Sequence, residues 1–159
     1  MVTQVYRPVG ADIEAVHSSP QFKLGTRGRG QDNQQYVYVQ ASGAIDQYDC
    51  VLIDEDFQAV SSLHANAGAS HLAGWPQVAM ADNEYGWAVL SGSNFLGNVA
   101  DNTTADAQLY FSSTAGTLNS LATQGAGTAY VALDGVVVVA AASGGGASEL
   151  LATYPVVVE

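Results

Sequence analysis

The stretch that most constrains this chain's fold is Thr128-Ala-Tyr-Val-Ala-Leu133, Asp134-Gly135, Val136-Val-Val-Val-Ala-Ala-Ala142. Asp-Gly suits the left-handed backbone of a two-residue turn, and it stands between two apolar runs. The pattern predicts a β-hairpin. The second run is the longest apolar run, and it falls well short of the ~20 residues a membrane-spanning helix needs, so it reads as a buried strand.

Short strand-like segments precede it from Tyr36 onward. Tyr36-Val-Tyr-Val-Gln40 alternates, with Val37 and Val39 on one face and Tyr36 and Tyr38 on the other. Ser42-Gly43 reads as a turn. Cys50–Ile53 is a continuous apolar run, the signature of a strand buried on both faces. Glu55-Asp56 is a turn, and Phe57–Val60 a return strand. Residues 61–74 are small and polar, fitting a loop or a short helix. Tyr85–Ser91 places Tyr85, Trp87 and Val89 on one face, and Phe95–Val99 and Ala107–Phe111 are further short strands. Leu150–Val158 closes the chain as a strand, with Pro155 confining its middle to a sheet edge or bulge. No helix longer than about ten residues is legible. The expected fold is all-β: a small barrel or sandwich of short antiparallel strands.

Residues 1–34 differ. Pro8, Gly10, Pro20, Gly25, Gly28 and Gly30 interrupt them, and they carry little apolar periodicity. So long a structureless stretch is unusual inside a compact domain. It is expected to be an extended N-terminal docking arm, residues 35–159 forming the body.

Charge divides at the same place. Residues 1–29 carry Arg7, Lys23, Arg27 and Arg29 against Asp12 and Glu14, a net +2; residues 30–159 carry thirteen acidic and no basic side chains. Such a body repels nucleic acid and anionic membrane, so neither is an expected partner. Three of the four cations lie in Phe22-Lys-Leu-Gly-Thr-Arg-Gly-Arg-Gly30. That stretch lacks the Gly-Lys-Ser/Thr and the following helix of a phosphate-binding loop. It suits a peptide docking on an acidic protein surface, with Phe22 and Leu24 as apolar anchors and Arg7, Lys23, Arg27 and Arg29 as charged contacts.

Catalytic and metal-binding constellations are not legible. His17, His64 and His71 stand at no recognised ligand spacing, and Asp54-Glu55-Asp56 lacks the alternating ligands of a calcium loop. Cys50, the single cysteine, lies in an apolar run and reads as a buried inert thiol. Gly92-Ser93 is not a nucleophile elbow, and no histidine follows His71. No catalytic residue, metal or cofactor is expected. Trp75, Trp87, Tyr85 and Tyr110 fit either a sugar-binding face or a core. The N-terminal residues lack the layout of a secretory signal.

Three stretches together resemble the small capsid decoration (cement) proteins of tailed bacteriophages. "SGAIDQYDCVLID" is similar to their "aGDvV.vd" strand, and "GWPQVAMADNEYGWAVLSGSNF" to "GVA.adI..GEyGwV...G.f". "AQLYFSSTAGTLNSLATQG" followed by "DGVVV" is similar to "a.LYtsatAGtLdd.at....dGivl". The likeness covers roughly residues 36–140. Tyr48 stands where the pattern has the glycine of "GD", and Asn83 where it has that of "GE". The resemblance implies a β-barrel or β-tulip body, without catalysis, that binds the major capsid protein on the outer surface of an assembled head, as a homo-trimer. A receptor- or glycan-binding virion protein is the alternative.

Overall fold

The computed structural model describes residues 11–63, 65–67, 71–120, 131–142, 144–154 and 157–158. These contain twelve strands and no helix: β1 (Arg27–Arg29), β2 (Gln35–Ala41), β3 (Val51–Ile53), β4 (Gln58–Ser61), β5 (His71–Pro76), β6 (Tyr85–Val99), β7 (Leu109–Phe111), β8 (Leu118–Ser120), β9 (Ala132–Leu133), β10 (Val136–Val138), β11 (Gly146–Ala152) and β12 (Val157–Val158). The all-β expectation holds. Strands β2, β4, β3, β5 and β6 pair in that order, and β6 returns to β2, so five strands close a small barrel.

Two apolar cores lie on either side of the barrel wall. Val37, Val39, Ile45, Val51, Ile53, Met80, Ala88 and Leu90 form one cluster. Tyr36, Tyr38, Cys50, Leu52, Trp75, Trp87, Val89 and Phe95 form the other, with Leu109, Leu118, Leu133 and Leu150. Odd and even positions of β2, β3 and β6 thus go to different cores, as the two-residue period of a strand dictates. Cys50–Ile53 is buried on both faces as its continuous apolar run requires, although its strand pairings are antiparallel.

Strand β6 joins the two halves. Its first part pairs with β2 and β5 in the barrel, and its second part pairs with β11 and β8. The expected strands Tyr85–Ser91 and Phe95–Val99 are therefore one element, turned at Gly92. Gly92 holds φ +121°, and a Cβ there would lie 2.6 Å from the Gln34 backbone. Gln34 is itself buried, and its Nε2 donates to the carbonyl of Ser93 at 2.7 Å.

The Asp-Gly hairpin is corrected. Asp134-Gly135 does turn, with Gly135 at φ +82°. The flanking strands nevertheless separate: β9 pairs with β7, and β10 with β11. The turn is a corner between layers, because Leu109 and Leu150 offer each apolar strand a buried neighbour. Residues 128–130 of the expected first strand lie outside the described residues. Residues 61–74 also differ where they are described, since their last four open β5, where Ala73 pairs with Leu52 and Gly74 packs against Ile53 and Ala88; residues 64 and 68–70 lie outside the described residues. The closing strand is two, β11 and β12; Pro155 lies outside the described residues.

Candidate docking edge

Residues 11–34 do not form an arm separate from the body. Ile13 is 7% exposed, within the core that holds Tyr36 and Tyr38. His17 and Tyr85 exchange backbone hydrogen bonds of 2.9 Å each way, and the His17 ring nitrogen Nδ1 lies 3.1 Å from the Tyr38 hydroxyl. Phe22 sets its ring edge-on against both Tyr38 and Trp87, with centroids 5.2 Å apart in each case. Leu24 packs against the same core. The expected anchors Phe22 and Leu24 thus face inward. The cause is visible in β2 and β6: Tyr38 and Trp87 project from the barrel's outer face, and an uncovered aromatic face is costly in water. Apolar periodicity is lost in this segment because single residues, spaced by turns, do the covering.

Beyond Leu24 the chain becomes a strand. The Thr26 amide and hydroxyl both donate to the Lys23 carbonyl, turning the backbone. Gly25 sits at φ +78°, with the Phe57 ring where a Cβ would project. Strand β1 then pairs antiparallel with β2, Arg27 opposite Val37 and Arg29 opposite Gln35. The connection turns at Asp32-Asn33, which hold φ +56° and +61°: the Gln34 amide donates to the Gln31 carbonyl and the Gln34 carbonyl accepts from the Gly30 amide, so Gly30 and Gln31 together face Gln34. Two consecutive positive φ values define the turn type that matches strand twist. Asp-Asn between Arg-Gly-Arg and Tyr-Val-Tyr-Val was the sequence signal for this hairpin.

Arg27 and Arg29 lie on its outer strand, and Lys23 on the turn that leads into it. Lys23, Arg27 and Arg29 are all exposed, and no ion pair among the described residues engages them. Arg27 and Arg29 are two residues apart on one strand, so their side chains share a face about 7 Å apart. Strand β1 pairs with β2 alone among the described residues. The Gly30 amide donates to the Gln34 carbonyl, and the Tyr38 amide to the Thr26 carbonyl. By antiparallel alternation Thr26, Gly28 and Gly30 turn their peptide groups toward β2, and Arg27 and Arg29 turn theirs to the open side. Arg7 lies outside the described residues.

Several of the remaining candidates are structural. Trp75 and Trp87 are buried in the core, so neither can stack on a sugar. Tyr85 is half-buried and stacks on Tyr38. Asp54 Oδ1 accepts the amides of Asp56 and Gln58, holding the β3–β4 turn. Burial pushes the Cys50 thiol up to about 12, which leaves it protonated and inert as a nucleophile. His64 lies outside the described residues. Among the described residues no three His, Cys, Asp or Glu side chains group as a metal site. Asp49 is buried and accepts hydrogen bonds from Ser61, Asn98 and the Asp46 amide, tying β4 to β6. In comparisons with known proteins, no family model matches the chain, and no curated protein matches it.

Proposed function

We propose that this protein is a non-enzymatic structural protein that docks through the rim of β1 onto an acidic protein surface. The observation that carries the reading is the collection of Lys23, Arg27 and Arg29, all exposed, at one edge of a body whose residues 30–159 hold thirteen acidic and no basic side chains. So few cations cannot hold a polyanion such as DNA against that repulsion, but they suffice to orient a protein contact.

With the resemblance to decoration proteins, the surface is the outside of an assembled tailed-phage head and the partner its major capsid protein. A protein that binds only the assembled lattice stabilises it by mass action, and a trimer multiplies the effect through effective concentration. A local detail supports the resemblance. Tyr48 and Asn83, which replace the two pattern glycines, hold φ +69° and +66°, the region glycine occupies freely.

The test is co-sedimentation with heads of the encoding virus that lack this protein. Wild type should pellet with heads in a multiple of three per symmetric site, and Arg27→Glu with Arg29→Glu should remain in the supernatant while keeping, in 150 mM salt, a cooperative thermal transition within a few degrees of wild type. Equal binding by the double variant, or binding to glycans and not to heads, would refute the reading.

A further inference from the structure

We infer that the open edge of β1 is a strand-addition site for an extended acidic segment of the partner, one that places carboxylates at alternate residues. The inference rests on the docking reading above and names its chemistry.

Three features converge on it. The first is the backbone. The N–H and C=O groups of Arg27 and Arg29 point away from β2, and no described strand takes them. An extended chain laid alongside can satisfy all four, as in other recognition modes that add a strand to a sheet. The second is side-chain register. Arg27 and Arg29 project on one face with Gly28 between them on the other. A partner strand has the same two-residue period, so its acidic residues fall beside Arg27 and Arg29 together, while the residue between them meets glycine and no side chain. Guanidinium groups suit this task because their planar donors pair with carboxylates in two parallel bonds.

The third feature is selectivity. Charged residues on edge strands ordinarily prevent edge-to-edge association. Here the charge has one sign. A second β1 edge would bring arginine against arginine, and an uncharged strand would leave both guanidinium groups without partners. An acidic strand alone gains at both levels. The rim is also rigidly presented. Tyr36, opposite Gly28, is buried and donates its hydroxyl to Gln34, and Gly30 packs directly on the Tyr36 ring. The edge is therefore pre-formed, which limits the ordering cost of binding to the incoming segment.

The probe is a fluorescent peptide, acetyl-Thr-Val-Glu-Val-Glu-Val-Thr-amide, titrated with the full chain and read by anisotropy. Two control peptides carry Gln in place of both Glu, or N-methyl groups on the backbone amides of one edge. We expect saturable binding of the Glu peptide, at least tenfold weaker binding of the Gln peptide, and none of the N-methylated one. Arg27→Ala with Arg29→Ala should weaken the Glu peptide at least tenfold without moving the thermal transition. Amide hydrogen exchange at Arg27 and Arg29 should slow when the peptide binds.

Equal binding of the N-methylated peptide would reduce the contact to surface charge and overturn strand addition. So would unchanged binding by the double variant. Salt-sensitive self-association that the double variant loses would assign the edge to a second copy and overturn the inference as well. The two readings fail separately. If the double variant loses heads but wild type ignores the peptide, strand addition is wrong and capsid docking stands. Peptide binding without head binding has the opposite meaning.

Discussion

At the scale of single residues, strain and burial mark where this chain departs from easy choices. Tyr48 holds φ +69°, and an L-residue with a Cβ there costs about 1–2 kcal/mol relative to glycine. Tyr48→Gly should therefore leave stability unchanged or raise it by up to about 1 kcal/mol, the strain relieved offsetting lost contacts and backbone entropy. Tyr48→Val should cost about 2 kcal/mol, because β-branching worsens the same crowding. Urea unfolding of the three proteins checks the order, and a valine variant as stable as the glycine one would refute it. Cys50 makes a pH prediction. Its thiol titrates at about 12 in the fold against an ordinary 9.0, because burial disfavours the thiolate. Below pH 9 both states hold the proton and the group adds no slope. Between 9 and 12 only the unfolded chain releases it, so stability falls as pH rises, by up to about 1.4 kcal/mol per pH unit. Burial first, then the charges of Asp32 and Glu14, pushes Tyr36 up to about 12, which adds a second loss above pH 10. Cys50→Ala should delay the alkaline loss to that second step. Chemical unfolding at pH 8, 9.5 and 11 measures it, and identical slopes for both proteins would count against it.

At the scale of elements, the segment before β1 is a cover. Ile13, Phe22 and Leu24 shield Tyr36, Tyr38 and Trp87, and His17 is bridged to Tyr85. Deleting the chain through Leu24 should lower the thermal midpoint by more than 10 °C or leave the body insoluble, since losing a packed Phe alone costs about 3 kcal/mol. A truncated body with an unchanged transition would restore the separable arm. This is also where sequence reading stopped short. Tyr36–Gln40, Cys50–Ile53 and Tyr85–Val89 were legible because a strand's alternation is local and each face had enough apolar residues to show it. The cover was not, because Phe22 reaches Tyr38 and Trp87 through a path set by turns at Lys23 and Gly25 rather than by a period. The pairing of β9 and β10 was hidden for a different reason. Asp134-Gly135 fixes a turn, but which strand each arm then joins depends on Leu109 and Leu150, distant in sequence. The exposed rim was legible as charge, whereas its edge geometry needed the type of turn at Asp32-Asn33.

At the scale of the whole molecule, the separation of charge gives salt two effects of opposite sign. Residues 30–159 carry thirteen carboxylates without a lysine or arginine, so their mutual repulsion is relieved mainly by solvent and counter-ions. The exposed acidic turns include Glu55-Asp56, Asp82, Asp101, Asp106 and Asp134. Raising salt shortens the Debye length from about 30 Å at 0.01 M to about 8 Å at 0.15 M, less than the width of a domain this size. Repulsion across the body is screened, while Lys23, Arg27 and Arg29 have no described ion pair to lose. The thermal midpoint should therefore rise by a few degrees between 10 and 150 mM NaCl. Docking should weaken over the same range, because the rim and its acidic partner attract through the same solvent. Arg27→Ala with Arg29→Ala separates the two effects. It removes two of the three rim charges, so its residual binding should depend on salt much less than that of wild type, while its midpoint should still rise with salt at least as steeply as that of wild type. Calorimetry and anisotropy on one salt series give both slopes. A wild-type midpoint that falls with salt would mean that unseen ion pairs hold the body together, and the charge separation could then not serve as the basis of docking.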